Sequence, residues 1–255
     1  MKTWYFAGIL SVCTTLLCSA FAYEHPVKVV LFPFQEAVLV AQVDGTISKY
    51  HFRVGQNFKA GECLLEFDDT PYRIELERVT ARKEEIEVQL KLAQETYQSQ
   101  KQLFEQDFQS KLEIQKREAE VAGLKARLKS AAADCAEAKL RVGYCRRNAP
   151  FEGRMEQLMC REHETVRAGQ PLFRIIYDKK LLAVMNIPLS DLKPVGTLLN
   201  FAFDGGKRVP GRIYEISPQA DHRSGTIEIK ALISNTDGQL TCGMTGELIR
   251  PNGAR

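Results

Sequence analysis

The 255-residue sequence has no Gly-rich phosphate loop, no nucleophile elbow and no C-x-x-C pair. Without the first two there is neither a backbone cradle for a nucleotide nor a serine set for acyl transfer. Histidine is scarce, and His25, His51, His163 and His222 lie far apart, so no zinc motif stands out. Charge of one sign is missing too. Lys plus Arg number 35 against 32 Asp plus Glu, and no basic stripe with interleaved aromatics points to nucleic acid. Beyond residue 22 no run is long and apolar enough to span a bilayer as a helix. These absences leave a non-enzymatic protein without a cofactor as the expectation. The 44% apolar and 26% charged residues are ordinary for a folded chain with room for one to three domains.

The N-terminus differs from the rest. Lys2 supplies a positive start, Trp4 to Ala22 carries no charge, and Ala20-Phe21-Ala22 offers small residues where a signal peptidase reads. Residues 1–22 are therefore read as an export signal, with an uncleaved anchor as the alternative. Neither Cys13 nor Cys18 follows the small residue that lipoprotein processing prefers. Cleavage would leave Cys63, Cys135, Cys145, Cys160 and Cys242, an odd number, so at least one stays unpaired within a monomer. A Cys63–Cys160 disulfide is one option that sequence cannot decide.

An internal duplication is the most informative feature. Val43-Asp44-Gly45-Thr46-Ile47 and Val54-Gly55 through Phe67 align with Phe151-Glu152-Gly153-Arg154-Met155 and Glu162-His163 through Ile175, at a constant offset of 108. Gly45 pairs with Gly153, Gly61 with Gly169, and Lys59-Ala60-Gly61 with Arg167-Ala168-Gly169. Each copy reads as three or four short strands, with the four glycines at turns or close backbone approaches. One copy cannot bury its apolar face alone, whereas two can pack as a small flattened sandwich. His163 stands where the first copy has Gly55 and reads as a turn residue rather than a ligand, since His tolerates the left-handed region.

Between the copies, residues 71–146 are rich in Glu, Lys, Gln, Ala and Leu, which are strong helix formers. Pro71 suits a first helical turn, with Asp69 and Thr70 as capping candidates. One heptad seam reads Leu76, Val79, Lys83, Ile86, Leu90, Ala93, Tyr97, Gln100 and Phe104. The second reads Ile114, Arg117, Val121, Leu124, Leu128, Ala131, Cys135, Ala138 and Val142. Spacings of three and four alternate without a slip, which predicts two antiparallel coiled-coil arms of ~54 Å each. Gln106-Asp107-Phe108-Gln109-Ser110 makes the turn, and Cys135 and Cys145 read as small core residues. The last third returns to strands, at Leu181–Ile187, Leu198–Phe203, Arg212–Ile216, Thr226–Ile233 and Gly246–Arg250, with hairpin-turn signals at Gly205-Gly206 and Asp237-Gly238. Short strands at this spacing suggest a small antiparallel barrel.

Taken in this order, the pieces resemble the HlyD-type membrane-fusion proteins, which include the periplasmic adaptors of resistance-nodulation-division and ABC efflux pumps. The resemblance rests on Val43–Leu64, on Asn148–Leu172, and on Val209-Pro210-Gly211-Arg212-Ile213, Ile216-Ser217-Pro218, Thr226 and Leu240-Thr241-Cys242-Gly243-Met244. It implies a mostly β protein with a long α-helical hairpin. A lipoyl-like (barrel-sandwich hybrid) domain is split into 37–70 and 147–178, the hairpin occupies 71–146, and a β-barrel occupies 179–250. Residues 23–36 are then an N-terminal strand segment and 251–255 a tail. A membrane-proximal fourth domain is expected to be rudimentary or absent, since only Val27–Phe34 and the last residues could build it. The family places such a chain in the periplasm against the inner membrane. It implies an inner-membrane transporter at the barrel end, an outer-membrane channel at the hairpin tip, and a trimer or hexamer of adaptors. Tip contacts map to Leu103, Asp107, Gln109 and Ser110. The family's tip arginine is absent, its position being Ser99 with Lys101 nearby. Met155, Met159, Met185 and Met244 are scattered, which argues against copper or silver as cargo.

Two other readings share parts of this pattern. A biotin or lipoyl carrier has the same β repeat but presents a lysine in the hairpin between its halves. Here that place reads Asp68-Asp69-Thr70-Pro71. An exported coiled-coil scaffold with no transporter would show the same helical seam.

Overall fold

The duplicated segments fold into matching strands that interlock. A computed structural model describes residues 26–106, 110–204 and 206–249. In the first copy the strands are β1 (Lys28–Val40), β2 (Gly45–Tyr50), β3 (Asn57–Phe58) and β4 (Cys63–Phe67). Two helices follow, α1 (Thr70–Glu105) and α2 (Lys111–Tyr144). The second copy brings β5 (Arg146–Asn148), β6 (Gly153–Leu158), β7 (Thr165–Val166) and the long β8 (Pro171–Pro188). After one 3₁₀ turn at Leu189–Asp191 come β9 (Leu198–Phe203), β10 (Lys207–Asp221), β11 (Thr226–Ser234) and β12 (Thr245–Ile249).

β2 and β6 start and end at the same repeat positions and share one burial pattern, as do β3 and β7. The pairing is exchanged between copies: β2 pairs with β7, and β6 with β3. Turn hydrogen bonds repeat the exchange. Gly55 N donates to Met155 O and His163 N to Ile47 O, both at 2.8 Å. Gly61 N donates to Ala149 O at 2.9 Å and Gly169 N to Ala41 O at 2.8 Å. Each copy thus satisfies backbone groups that the other leaves open, and the joint core holds Ile47, Leu64, Leu65, Met155, Leu172, Phe173 and Ile175, all fully buried.

The repeat glycines play different parts. Gly61 and Gly169 have φ of 83° and 86°, a region costly for residues with a Cβ. Gly153 is fixed by space, since a Cβ there would lie 2.2 Å from Ile176 O. Gly45 has neither constraint, its nearest neighbour being Phe67 Cδ1 at an ordinary 3.6 Å. His163 has φ 66°, matching the 86° of Gly55 in the other copy.

Six strands close into a ring: β1 pairs with β12, then β9, β10, β11, β8 and β1 again, every pair antiparallel. Alternate side chains point inward and form a second core around Leu31, Leu181, Ala183, Phe201, Ile213, Ile229 and Ile233. β1 and β8 run through both cores. Residues 28–33 of β1 pair within the ring, and residues 35–40 pair along β8 in the sandwich, with a register shift between Pro33 and Gln35. The segment 23–36 is therefore no separate unit where described: residues 28–33 supply a stave of the barrel, and Gln35 and Glu36 already pair in the sandwich. At the junction, buried Asn235 donates to Asp178 O and Leu240 O and accepts from Leu240 N, all at 2.9 Å.

Two local expectations are corrected. Asp237-Gly238 makes a turn, with Gly238 N bonded to Asn235 O, but β11 and β12 do not pair, so it joins no hairpin. The carboxylate at the start of α1 is that of Asp68, which accepts from Thr70 N at 3.0 Å, while Asp69 makes no side-chain cap. The five cysteines beyond residue 25 are free thiols, so Cys63 and Cys160 form no disulfide. Their surroundings differ, Cys63 donating to Leu65 O and Cys160 to Pro171 O.

The helices have 36 and 34 residues, so each extends ~50 Å or more. They run antiparallel, Arg117 meeting Gln100 and the Cys135 thiol donating to Val79 O at 3.2 Å. Their buried residues are Val79, Leu90, Val121, Ala131 and Ala138, all seam positions. At the root, β4 and β5 pair side by side, Phe67 N donates to Cys145 O at 2.8 Å, and Tyr72 Oη donates to Asp44 O at 2.6 Å. Burial pushes the Cys145 thiol up to about 11. At the far end Ser110 is the N-cap of α2, its Oγ accepting from Glu113 N at 3.4 Å.

Two contrasts test these assignments by denaturant unfolding of the purified chain. Gly153→Ala should destabilise by about 2 kcal/mol or more, because its Cβ meets backbone. Gly123→Ala in α2, where a Cβ meets nothing within 4 Å, should stabilise by ~0.5–1 kcal/mol. Ser110→Ala should cost ~1 kcal/mol, whereas Leu103→Ala should stay within about 0.5 kcal/mol.

Candidate functional site

The end of the helical pair carries the residues singled out from sequence. Leu103, in the last turn of α1, is 43% exposed and belongs to neither core. Ser110 is exposed and holds the α2 cap described above, so its hydroxyl already serves the helix. Asp107 and Gln109 lie outside the described residues. Ser99 and Lys101, where an arginine was sought, are both exposed on α1.

Two further apolar side chains stand beside them. Leu112 is 63% exposed and Phe104 37% exposed. Leu112 falls outside the heptad seam, and an apolar residue off the seam was the available signal. Singly exposed apolar residues are common, and here three lie near one end of the helical pair. Close by on α2, Arg117 pairs with Glu113 and Glu120. Exposed pairs of this kind hold little stability and keep the rod solvated.

A second apolar surface lies on the barrel. Leu189, Leu192, Val195 and Leu198 are exposed along one stretch of chain, and Tyr214 of neighbouring β10 is 51% exposed. In the sequence Leu198 and Tyr214 are strand residues, and alternation alone does not give the face that each takes. Among the described residues no helix is long and apolar enough to cross a membrane.

A third grouping, not visible in sequence, lies near the helical root. His51, Cys63 and Glu66 bring their donor atoms within 4.8 Å of one another. His51 Nε2 is 3.6 Å from Glu66 Oε2, and Arg146 Nε is 3.4 Å from Glu66 Oε1. Burial and the neighbouring Glu66 push the Cys63 thiol up.

Comparisons with known proteins agree with this architecture. Residues 35–178 match the family profile described as the RND membrane-fusion-protein barrel-sandwich hybrid domain, and residues 196–251 match a CusB-like β-barrel domain. The multidrug resistance protein MdtA of Pectobacterium carotovorum is 26% identical over 217 residues, covering 79% of this chain and 52% of MdtA. An Escherichia coli MdtA is 25% identical over 212 residues, covering 78% and 51%. The chain thus spans about half the length of the curated relatives it matches. Among solved structures, the membrane fusion protein Spr0693 of Streptococcus pneumoniae has a TM-score of 0.68 at 13% identity, covering 88% of this chain and 98% of that one. A MacA-MexA chimera carrying the Pseudomonas aeruginosa MexA α-hairpin has a TM-score of 0.67 at 21% identity, covering 87% and 76%. These two likenesses concern the fold. With more than half of its length inside the family profile, the chain belongs to the RND-type membrane fusion proteins.

Proposed function

We propose that this chain is a periplasmic adaptor that couples an inner-membrane transporter, of the resistance-nodulation-division or ABC type, to an outer-membrane channel. The observation that carries the reading is the rooting of two long helices on adjacent paired strands of an interlocked β head. A rod fixed at one end to a stiff body transmits position, whereas a rod on a loose linker does not. In this reading residues 71–146 form an antiparallel coiled-coil arm. The sandwich halves 37–70 and 147–178 form its base, and residues 179–250 with the first half of β1 form the pump-facing barrel.

The roles follow from the surfaces. Leu103, Phe104 and Leu112, together with Asp107, Gln109 and Ser110, form the channel-facing tip. The apolar stretch from Leu189 to Leu198 with Tyr214 faces the transporter. Several copies, three or six, stand side by side so that their arms make a conduit. Residues 1–22 direct export. The chain's contribution is positional rather than chemical, and it needs no cofactor for that task.

Crosslinking in cells tests the tip. A photo-crosslinking residue at Leu103 or Gln109 should capture an outer-membrane channel protein, and one at Arg127, midway along α2, should not. Affinity purification of the full chain in mild detergent should bring an inner-membrane transporter with it. Equal capture at the tip and at Arg127, with no transporter recovered, would overturn the coupling role and favour a free-standing scaffold.

A further inference from the structure

The trio of His51, Cys63 and Glu66 is held in place by a feature of strand geometry. Residues three apart on a regular strand point to opposite faces. In β4 the register shifts between Cys63 and Leu65, so that Cys63 faces Asn148 and Leu65 faces Arg147. Leu64 and Leu65 are consecutive and both fully buried. With two neighbouring residues turned inward, Cys63 and Glu66 emerge together on the outer face. His51 follows β2, whose Tyr50 pairs with Leu65, and its N donates to Leu64 O at 3.0 Å, which fixes the ring beside them.

The duplication supplies an internal control. The second copy has the same shift, the same two buried residues (Leu172 and Phe173), and Met159, Pro171 and Arg174 at the matching positions. The scaffold therefore folds without a histidine, a cysteine or a glutamate at those positions. No packing requirement accounts for the trio in the first copy, where the side chains of His51 and Glu66 are 32% and 33% exposed.

We infer that His51, Cys63 and Glu66 form a binding site for one divalent ion of the zinc class, with a fourth position open to water. Thiolate, imidazole and carboxylate together select a borderline ion over calcium or magnesium. The edges of a tetrahedral zinc site built from such ligands are ~3.4–3.7 Å. His51 Nε2 lies 3.6 Å from Glu66 Oε2, Cys63 Sγ lies 3.9 Å from Glu66 Oε1, and one donor atom from each residue falls within 4.8 Å of the others, so rotamer changes of about 1 Å bring the three to bonding distance of one ion. Binding releases the thiol proton of Cys63 to solvent, and the imidazole binds in its neutral form. Arg146 is the competing cation on Glu66, and its side chain is 67% exposed and free to swing away. Because Arg146 opens β5, directly after α2, an ion in this site replaces a side-chain bond that spans the root of the helical pair.

Cobalt reports on such a site, because a thiolate bound to Co²⁺ gives a charge-transfer band. The purified full chain, titrated with Co²⁺, should develop that band at one ion per chain, and Zn²⁺ should displace it. Cys63→Ser should abolish the band and Cys242→Ser should leave it. His51→Ala should weaken binding at least about tenfold, the loss typical of removing even an outer-shell partner. Arg146→Gln, which removes the competing charge, should tighten binding about threefold or more. Far-UV circular dichroism of each variant reports whether it is folded. No band in the folded chain, or a band that survives Cys63→Ser, overturns the site.

Discussion

Everything in this fold depends on the exchange of backbone hydrogen bonds between two copies of one short sequence pattern. Ile47 receives the amide of His163 while Met155 receives that of Gly55, and Ala41 and Ala149 are bonded in the same reciprocal way. Neither copy can satisfy these groups alone, and an unsatisfied buried amide or carbonyl is costly. The copies must therefore assemble together or not at all. That requirement is what allows a long insertion between β4 and β5. The two ends of the insertion are brought side by side by the same pairing that completes the sandwich.

From this constraint the mechanical design follows. The helices bury only a narrow line of side chains between them, at Val79, Leu90, Val121, Ala131 and Ala138. Their direction is set at the root, where Phe67 bonds Cys145 and Tyr72 reaches Asp44. On the other side of the sandwich, β1 and β8 continue into the barrel without a break in chain direction. One pair of strands thus joins both cores, and Asn235 ties the β11–β12 connection to the junction. Head, helices and barrel are connected by paired strands rather than by linkers, which is what the proposed coupling role requires.

Much of this was legible in the sequence because the signals are periodic. The constant offset between Gly45 and Gly153 reappears as identical strand limits, and every buried residue of the two helices falls at a seam position read from the three-four spacing. What escaped reading depends on partners rather than on local pattern. Asp237-Gly238 carries a turn signal that is locally correct, yet β12 finds β1 and β9 instead of β11. The charged run at Asp178-Lys179-Lys180 reads as a boundary before the strand at Leu181, but it lies within one strand that crosses between cores. His51, Cys63 and Glu66 carry no recognisable spacing, because a register shift in β4 brings them together, and such shifts leave no mark in a single sequence.

Native-state hydrogen exchange tests the interlocking most directly, since it reads the opening free energy of each amide. The amides of Ile47, Gly55 and Gly61 in the first copy and of Met155, His163 and Gly169 in the second should exchange through one shared opening. Their free energies and denaturant slopes should then coincide. If the first-copy amides exchange through a separate, lower-energy opening while the second-copy amides stay protected, the halves are independent and the helical rod lacks the rigid root described above.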